Sequence, residues 1–119
     1  TVTDKDADTW KASLYFEGAQ PGSNTYGTFL WGDNPFTTII NKEAQTNRKI
    51  AIVKESYGNA IVPYIAYNYS EVYVVDFRYY SENLKTLCEQ NNINEVLFIN
   101  GIMSANTASQ IDNMNNLFI

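Results

Sequence analysis

Three apolar runs rich in β-branched residues constrain this chain most: Ile50-Ala51-Ile52-Val53, Val72-Tyr73-Val74-Val75 and Val96-Leu97-Phe98-Ile99. A continuous apolar run of strand length fits a strand covered on both faces. Each run is followed by a stretch that reads as a helix, and strand–helix alternation implies parallel strands joined by right-handed crossovers. The pattern therefore predicts an α/β fold: a three-layer sandwich with a mainly parallel sheet, read as part of a larger domain.

The helices expected after the runs are Ser56 to about Tyr67, Ser81 to Asn91, and Ser104 to Asn115. Pro63 must either kink the first helix or mark a late start. Ser81 can cap the second, where Leu84, Leu87 and Cys88 share one face. In the third, Ile111 and Met114 fall on one side. The first 45 residues are different in character. Residues 1–11 read as a loose polar segment, Ser13–Phe16 as a short strand or helix end, and Glu17–Tyr26 as a loop. Thr28–Trp31 reads as a strand stopped by Gly32-Asp33-Asn34-Pro35, and Phe36–Ile40 as a second extended piece. The whole is expected to form one domain, with 1–45 as an irregular edge segment and 46–119 as repeating β-α units.

Composition excludes several classes of function. The net charge is −5, with no cluster of Lys or Arg, which argues against a nucleic-acid surface and against docking on anionic membranes. No apolar run approaches the roughly 20 residues of a membrane span. With one cysteine and no histidine, a structural zinc site and an internal disulfide are both disfavoured, and no cofactor is expected. Cys88 reads as a structural thiol near an apolar face. Phosphate-cradling glycine loops are absent. The missing initiator Met fits a mature or excised piece of a longer protein.

In an open parallel sheet, sites gather at the carboxyl ends of the strands. The candidate stretches are Lys54-Glu55-Ser56-Tyr57-Gly58-Asn59, Asp76-Phe77-Arg78-Tyr79-Tyr80 and Asn100-Gly101-Ile102-Met103-Ser104, with Gly32-Asp33-Asn34-Pro35 able to join them. Ser56 has two readings. Its hydroxyl can cap the following helix, which spacing alone favours. Alternatively it attacks an acyl carbon, with backbone N–H groups around Tyr57 receiving the oxyanion. In that case Gly58 lets substrate approach the backbone, and Asn59 and Gly32 line the site. Asn34 is a candidate extra oxyanion donor, although a turn role fits both Asn34 and Asn59. Asp76 and Arg78 are expected to pair structurally. Glu55 reads as a strand-end carboxylate and Trp31 as a core residue. Asp33 has no second carboxylate placed to make a glycosidase pair.

The phrases KIAIVKESYGNAIVPYIAYNY, EVYVVDFRYY, INEVLFING and, upstream, FLWGDNPFTTI resemble the C-terminal part of the bacterial DHHW proteins. These belong to the wider SGNH-hydrolase-like group, which includes relatives of alginate O-acetyltransferase. The resemblance runs from about Tyr26 to Ile102 and implies an SGNH/flavodoxin-like fold with Ser56 at the position of the serine nucleophile. It implies that the Asp and His partners come from the family's Asp-His-His-Trp phrase, which lies N-terminal of the serine block and is not in this sequence. Two positions depart from the family: Glu55 stands where Asp is usual, and the turn at Gly32–Pro35 lacks the histidine often found nearby.

The resemblance implies a serine esterase or O-acyltransferase in full-length form, acting on an acylated carbohydrate outside the cell or at a bacterial surface. The missing Asp/His segment would be its necessary partner, and this chain alone is expected to be nearly inactive. The alternative is a non-catalytic α/β module that binds carbohydrate or protein, using Trp31, Tyr79 and Tyr80. A receiver- or flavodoxin-type domain is less favoured, because neither an acidic strand-end cluster nor a phosphate loop is clear.

Overall fold

The computed structural model describes residues 1–3, 6, 8–18, 22 and 25–119. Parts of the expected polar segment and of the Glu17–Tyr26 loop, at residues 4, 5, 7, 19–21, 23 and 24, lie outside the described residues. The strands are β1 Val2–Thr3, β2 Thr9–Trp10, β3 Phe36–Ile40, β4 Lys49–Lys54, β5 Glu71–Asp76 and β6 Glu95–Ile99. The α-helices are α1 Val62–Ala66, α2 Leu84–Asn91, α3 Ile102–Ala105 and α4 Ala108–Asn116.

The strands form one sheet in the order β2-β1-β3-β5-β4-β6. β4 runs parallel to both β5 and β6, whereas β3 pairs antiparallel with β5 and extends the sheet to the N-terminal hairpin. The segment expected to be loose thus supplies two strands, with β2 at the sheet edge and β1 between β2 and β3. Each is two residues long, too short for an alternating pattern to register in the sequence.

β4 is central, and its successive side chains serve opposite faces. Ala51 and Val53 join Tyr73, Val75, Leu84, Leu87 and Leu117 in one core. Ile50 and Ile52 join Val62, Ala66, Val72 and Val74 in the other. Helix α2 and the C-terminal segment therefore cover one face and α1 the other, giving three layers. β6 departs from the expectation of a doubly covered strand: it is an edge strand, and Val96, Leu97 and Phe98 remain exposed.

The connection after β4 begins as a 3-10 turn, Ser56–Ala60, and α1 starts only at Val62. Pro63 lies in the first turn of α1, where its missing N–H costs nothing, so the late start wins over the kink. Helix α2 is capped by Asn83 rather than Ser81: the Asn83 side chain accepts from the Thr86 N–H at 3.0 Å. Asn83→Ala should cost about 1 kcal/mol, whereas Ser81→Ala should stay within about 0.5 kcal/mol. Urea unfolding of the two variants side by side checks this. The expected last helix is broken at Asn106-Thr107 into α3 and α4. Met114 packs on the core while Ile111 stays largely exposed.

Thr28–Trp31 is not a strand. A 3-10 turn at Thr25–Thr28 precedes an isolated bridge between Phe29 and Tyr15. Leu30, Trp31 and Gly32 then have φ of 53°, 62° and 88°. Consecutive left-handed residues are costly for non-glycine side chains. The Asn34 amide offsets part of this by donating to the carbonyls of Leu30 and Trp31, each at 3.2 Å.

Candidate active site

Ser56 lies immediately beyond the carboxyl end of central strand β4. Glu55 is still extended (φ −109°, ψ −170°) and occupies the cap position, so Ser56 is the first residue inside the turn and is not its cap. The first bond of the turn runs from the Gly58 N–H to the Glu55 carbonyl at 2.9 Å. The N–H groups of Ser56 and Tyr57 precede that bond and lie outside the helical pattern. Ser56 is half-buried and Tyr57 is exposed. Gly58 is buried because the turn folds tightly over β4: a Cβ there would come within 2.5 Å of Lys54 Cβ.

The turn is tied on two sides. Tyr26 donates its hydroxyl to the Ser56 carbonyl. On the other side, the buried Glu55 carboxylate accepts from the Gly101 N–H and from Ser104 Oγ, the latter at 2.6 Å. The serine turn is thereby clamped to the loop after β6. Gly101 is required by close approach, since a Cβ there would meet Glu55 Oε1 at 2.7 Å and the Tyr57 ring at 3.2 Å. The Glu55 carboxylate is the group that reaches across to Gly101 and Ser104, beyond the end of β6.

Beneath the turn lies a compact ionic network. Lys54 Nζ is 2.9 Å from Asp76 Oδ2, and both residues are almost fully buried. Arg78 approaches Asp76 with Nε at 2.9 Å from Oδ1 and a terminal nitrogen at 2.7 Å from Oδ2, and it also reaches Asp33 at 3.0 Å. Asn59 donates to Asp33 Oδ1 at 2.8 Å, while its own Oδ1 is buried without a partner among the described residues. The ionisable groups respond unequally. Burial pushes the Lys54 ammonium below its ordinary value, against the pull of Asp76. Burial alone would raise the Asp76 carboxyl, but hydrogen bonds and charge from Arg78 and Lys54 together hold it below the ordinary range. Arg78 is held more firmly protonated by its bonds to Asp76.

The expected pairing of Asp76 with Arg78 is therefore present. Lys54 was missed as a site residue, although parallel register places it directly opposite Asp76. The signal was available: each charge immediately follows an apolar strand run. Tyr26 was also missed, since nothing in its loop sequence marks it. Asn34 was a candidate oxyanion donor, but its amide is turned into the Leu30–Gly32 turn. Asn59 is fully buried against Asp33 and does not face solvent. Gly32 supplies a left-handed turn residue. Trp31, expected in the core, is partly exposed, and its indole N–H is spent on the Ser13 carbonyl. Tyr80 stacks on Phe36 at 5.5 Å, while Tyr79 lies beside the Arg78 guanidinium. Cys88 is half-buried, and burial pushes its thiol up, toward the unreactive form.

Among the described residues no group of His, Cys, Asp and Glu could hold a metal ion, and no helix is long and apolar enough to cross a membrane. A groove of about 460 Å³ is lined by the N-terminal segment, β3 and the Leu30-Trp31 turn, and Ser56 is not among its walls.

This arrangement has counterparts. The sequence pattern of the family described as DHHW protein matches residues 19–75. A crystal structure of a DHHW family protein from Eubacterium siraeum superposes on 99% of this chain with a TM-score of 0.83 and 34% identity. The chain belongs to the DHHW family. Bacillus cereus PatB1 is also similar, at 26% identity over 92% of this chain with a TM-score of 0.79. A second structure, of PatB1 with a sulfonyl adduct, matches 84% of this chain at 27% identity and a TM-score of 0.74. This DHHW chain spans only 39% of the Eubacterium protein's length and 36–37% of PatB1's. Among curated proteins none matches.

Proposed function

We propose that this DHHW chain carries the nucleophile of an acyl-transfer site, with Ser56 Oγ attacking an acyl carbon and the N–H groups of Ser56 and Tyr57 receiving the oxyanion. The observation that carries this reading is the placement of Ser56. It follows the end of the central parallel strand, on a turn braced by Glu55 and Tyr26, and it does not cap the helix it was expected to cap. A positioned nucleophile needs such bracing from its surroundings. Similarity to PatB1, which forms a sulfonyl adduct, adds support.

A serine hydroxyl needs a base to take its proton, and this chain has no histidine. The remaining length of the DHHW relatives is the proposed source of that base and of its Asp partner. β6, an edge strand with exposed apolar side chains, offers a surface for such a segment to join. The substrate proposed for the whole protein is an acylated carbohydrate outside the cell or at its surface, with acetyl as the simplest acyl group.

The test is covalent labelling with an aryl sulfonyl fluoride, using this chain, its Ser56→Ala variant and the longest form of the parent protein. The longest form should be modified at Ser56. The 119-residue chain should react slowly, and faster when imidazole is added as an external base. Reaction independent of Ser56 would remove the nucleophile assignment. Turnover of a simple acetyl ester by the chain alone should not exceed that of Ser56→Ala by more than a small residual, since loss of a triad member leaves little beyond binding and oxyanion stabilisation.

A further inference from the structure

The groove lined by the N-terminal segment and β3 lies on the face of the sheet that also carries α1, and the acyl-transfer reading gives it no role. Leu14, Leu30, Trp31 and Ile39 contribute apolar walls to its 460 Å³, a volume within the usual range for small-molecule sites. Leu14, Ile39 and Ile40 also line a second lobe of 210 Å³, which ends against Pro63, Ala66 and Tyr67 of α1 and its C-terminus. The two lobes together make an elongated apolar trough.

Its lining also contains two cations. The chain has eight Lys and Arg. Arg48, Lys49, Lys54, Arg78 and Lys85 each lie within 4.0 Å of a carboxylate. Lys5 lies outside the described residues. Lys11 and Lys42 are left, both exposed and with no carboxylate partner among the described residues, and both line this groove. In a chain of net charge −5, the uncompensated positive charge of the described residues is thus concentrated at one apolar trough.

We propose that this trough binds a free fatty-acid-type carboxylate: the unbranched chain lies along the two apolar lobes and the anionic head is held by Lys11 and Lys42. An elongated apolar body suits the joined lobes, and one anionic head suits two unpaired ammonium groups. The inference does not depend on Ser56 or on acyl transfer.

Trp31 in the wall supplies the readout. In a Trp10→Phe background it is the sole tryptophan, because the chain has two. Decanoate, titrated below its micelle concentration at neutral pH, should change Trp31 fluorescence saturably. Decanol, with the same chain and no charge, should bind about tenfold more weakly. Lys11→Glu with Lys42→Glu should weaken decanoate by at least about tenfold without moving the thermal midpoint, since both residues are exposed. No saturable response to decanoate would overturn the proposal, as would equal binding of decanol. Unchanged affinity after both lysine reversals would overturn it too. Co-sedimentation with phosphatidylglycerol vesicles, without any decanoate response, would replace the free carboxylate by a membrane surface.

Discussion

Replacing Asp76 with alanine is expected to destabilise this chain by about 3–5 kcal/mol, the usual cost of leaving a buried charge without its partner. Asp76 is fully buried and holds Lys54 at 2.9 Å and Arg78 at 2.7 Å. Arg78 would keep Asp33, at 3.0 Å, whereas Asp33 lies 4.0 Å from Lys54 and would leave its ammonium nearly stranded. Domains of this size have only about 5–15 kcal/mol in total, so urea unfolding should show a large drop in midpoint. The double variant Lys54→Met with Asp76→Leu should recover most of the loss, because an apolar pair of similar volume often replaces a buried ion pair without penalty. A single-variant loss below about 1 kcal/mol would mean that water reaches the site.

The same carboxylate sets an acid limit. Its folded-state pKa lies below its ordinary value of 3.8. Its contribution is therefore complete above that ordinary value and is lost as pH falls through the lower folded value. Lys54 acts at the other end of the scale: its folded pKa is below the ordinary 10.5. The unfolded chain then binds the lysine proton more tightly, so this group's share of stability increases with pH between those two values. Urea midpoints measured as a function of pH should fall at the acid end, and the fall should be shallower in the Lys54→Met, Asp76→Leu double variant.

Gly58→Ala should cost about 1–3 kcal/mol, the range for forcing extra volume into a packed site. The added Cβ would lie 2.5 Å from Lys54 Cβ and 3.1 Å from its Cγ. Those atoms belong to the base of a side chain anchored at its far end by Asp76, so they cannot swing away. The turn must move instead, and Ser56 with it. Gly101→Ala makes the useful contrast. Its Cβ would meet a carboxylate oxygen of Glu55 and the ring of Tyr57, which are side-chain ends able to shift. Its stability cost should be the smaller of the two, while the NMR resonances of the Tyr57 ring and of Ser104 should move. If Gly58→Ala proves as stable as the parent, the turn has more room than the packing against Lys54 allows.

β4 and β5 were legible because fully covered strands must be apolar throughout; β6 carries the same kind of apolar run although it lies at the sheet edge with Val96, Leu97 and Phe98 exposed. The serine turn was legible for a related reason: in a parallel sheet the residues just after an apolar run stand at the carboxyl edge. The N-terminal hairpin escaped notice because two-residue strands leave no period to read. Thr28–Trp31 misled because its apolar, aromatic composition has strand propensity, while the backbone there turns left-handed to bring Asp33 under the serine turn. That conformation is held by the Asn34 amide and by Asp33's own contacts with Arg78 and Asn59, all of which depend on the folded chain. Glu55 read as an idle carboxylate because its partners, Gly101 and Ser104, lie more than forty residues away in sequence.

By itself, then, the sequence determined the layer architecture, the central strands and the position of Ser56, since these follow from local patterns of apolar and turn residues. Only the tertiary structure decided that Lys54 is a buried ion-pair member, that Asn34 braces a turn, and that Glu55 clamps the serine turn to the loop after β6. The physical reason is that a polar side chain's role is set by the group it meets after folding, and that meeting is fixed by strand register and close approach rather than by neighbours along the chain.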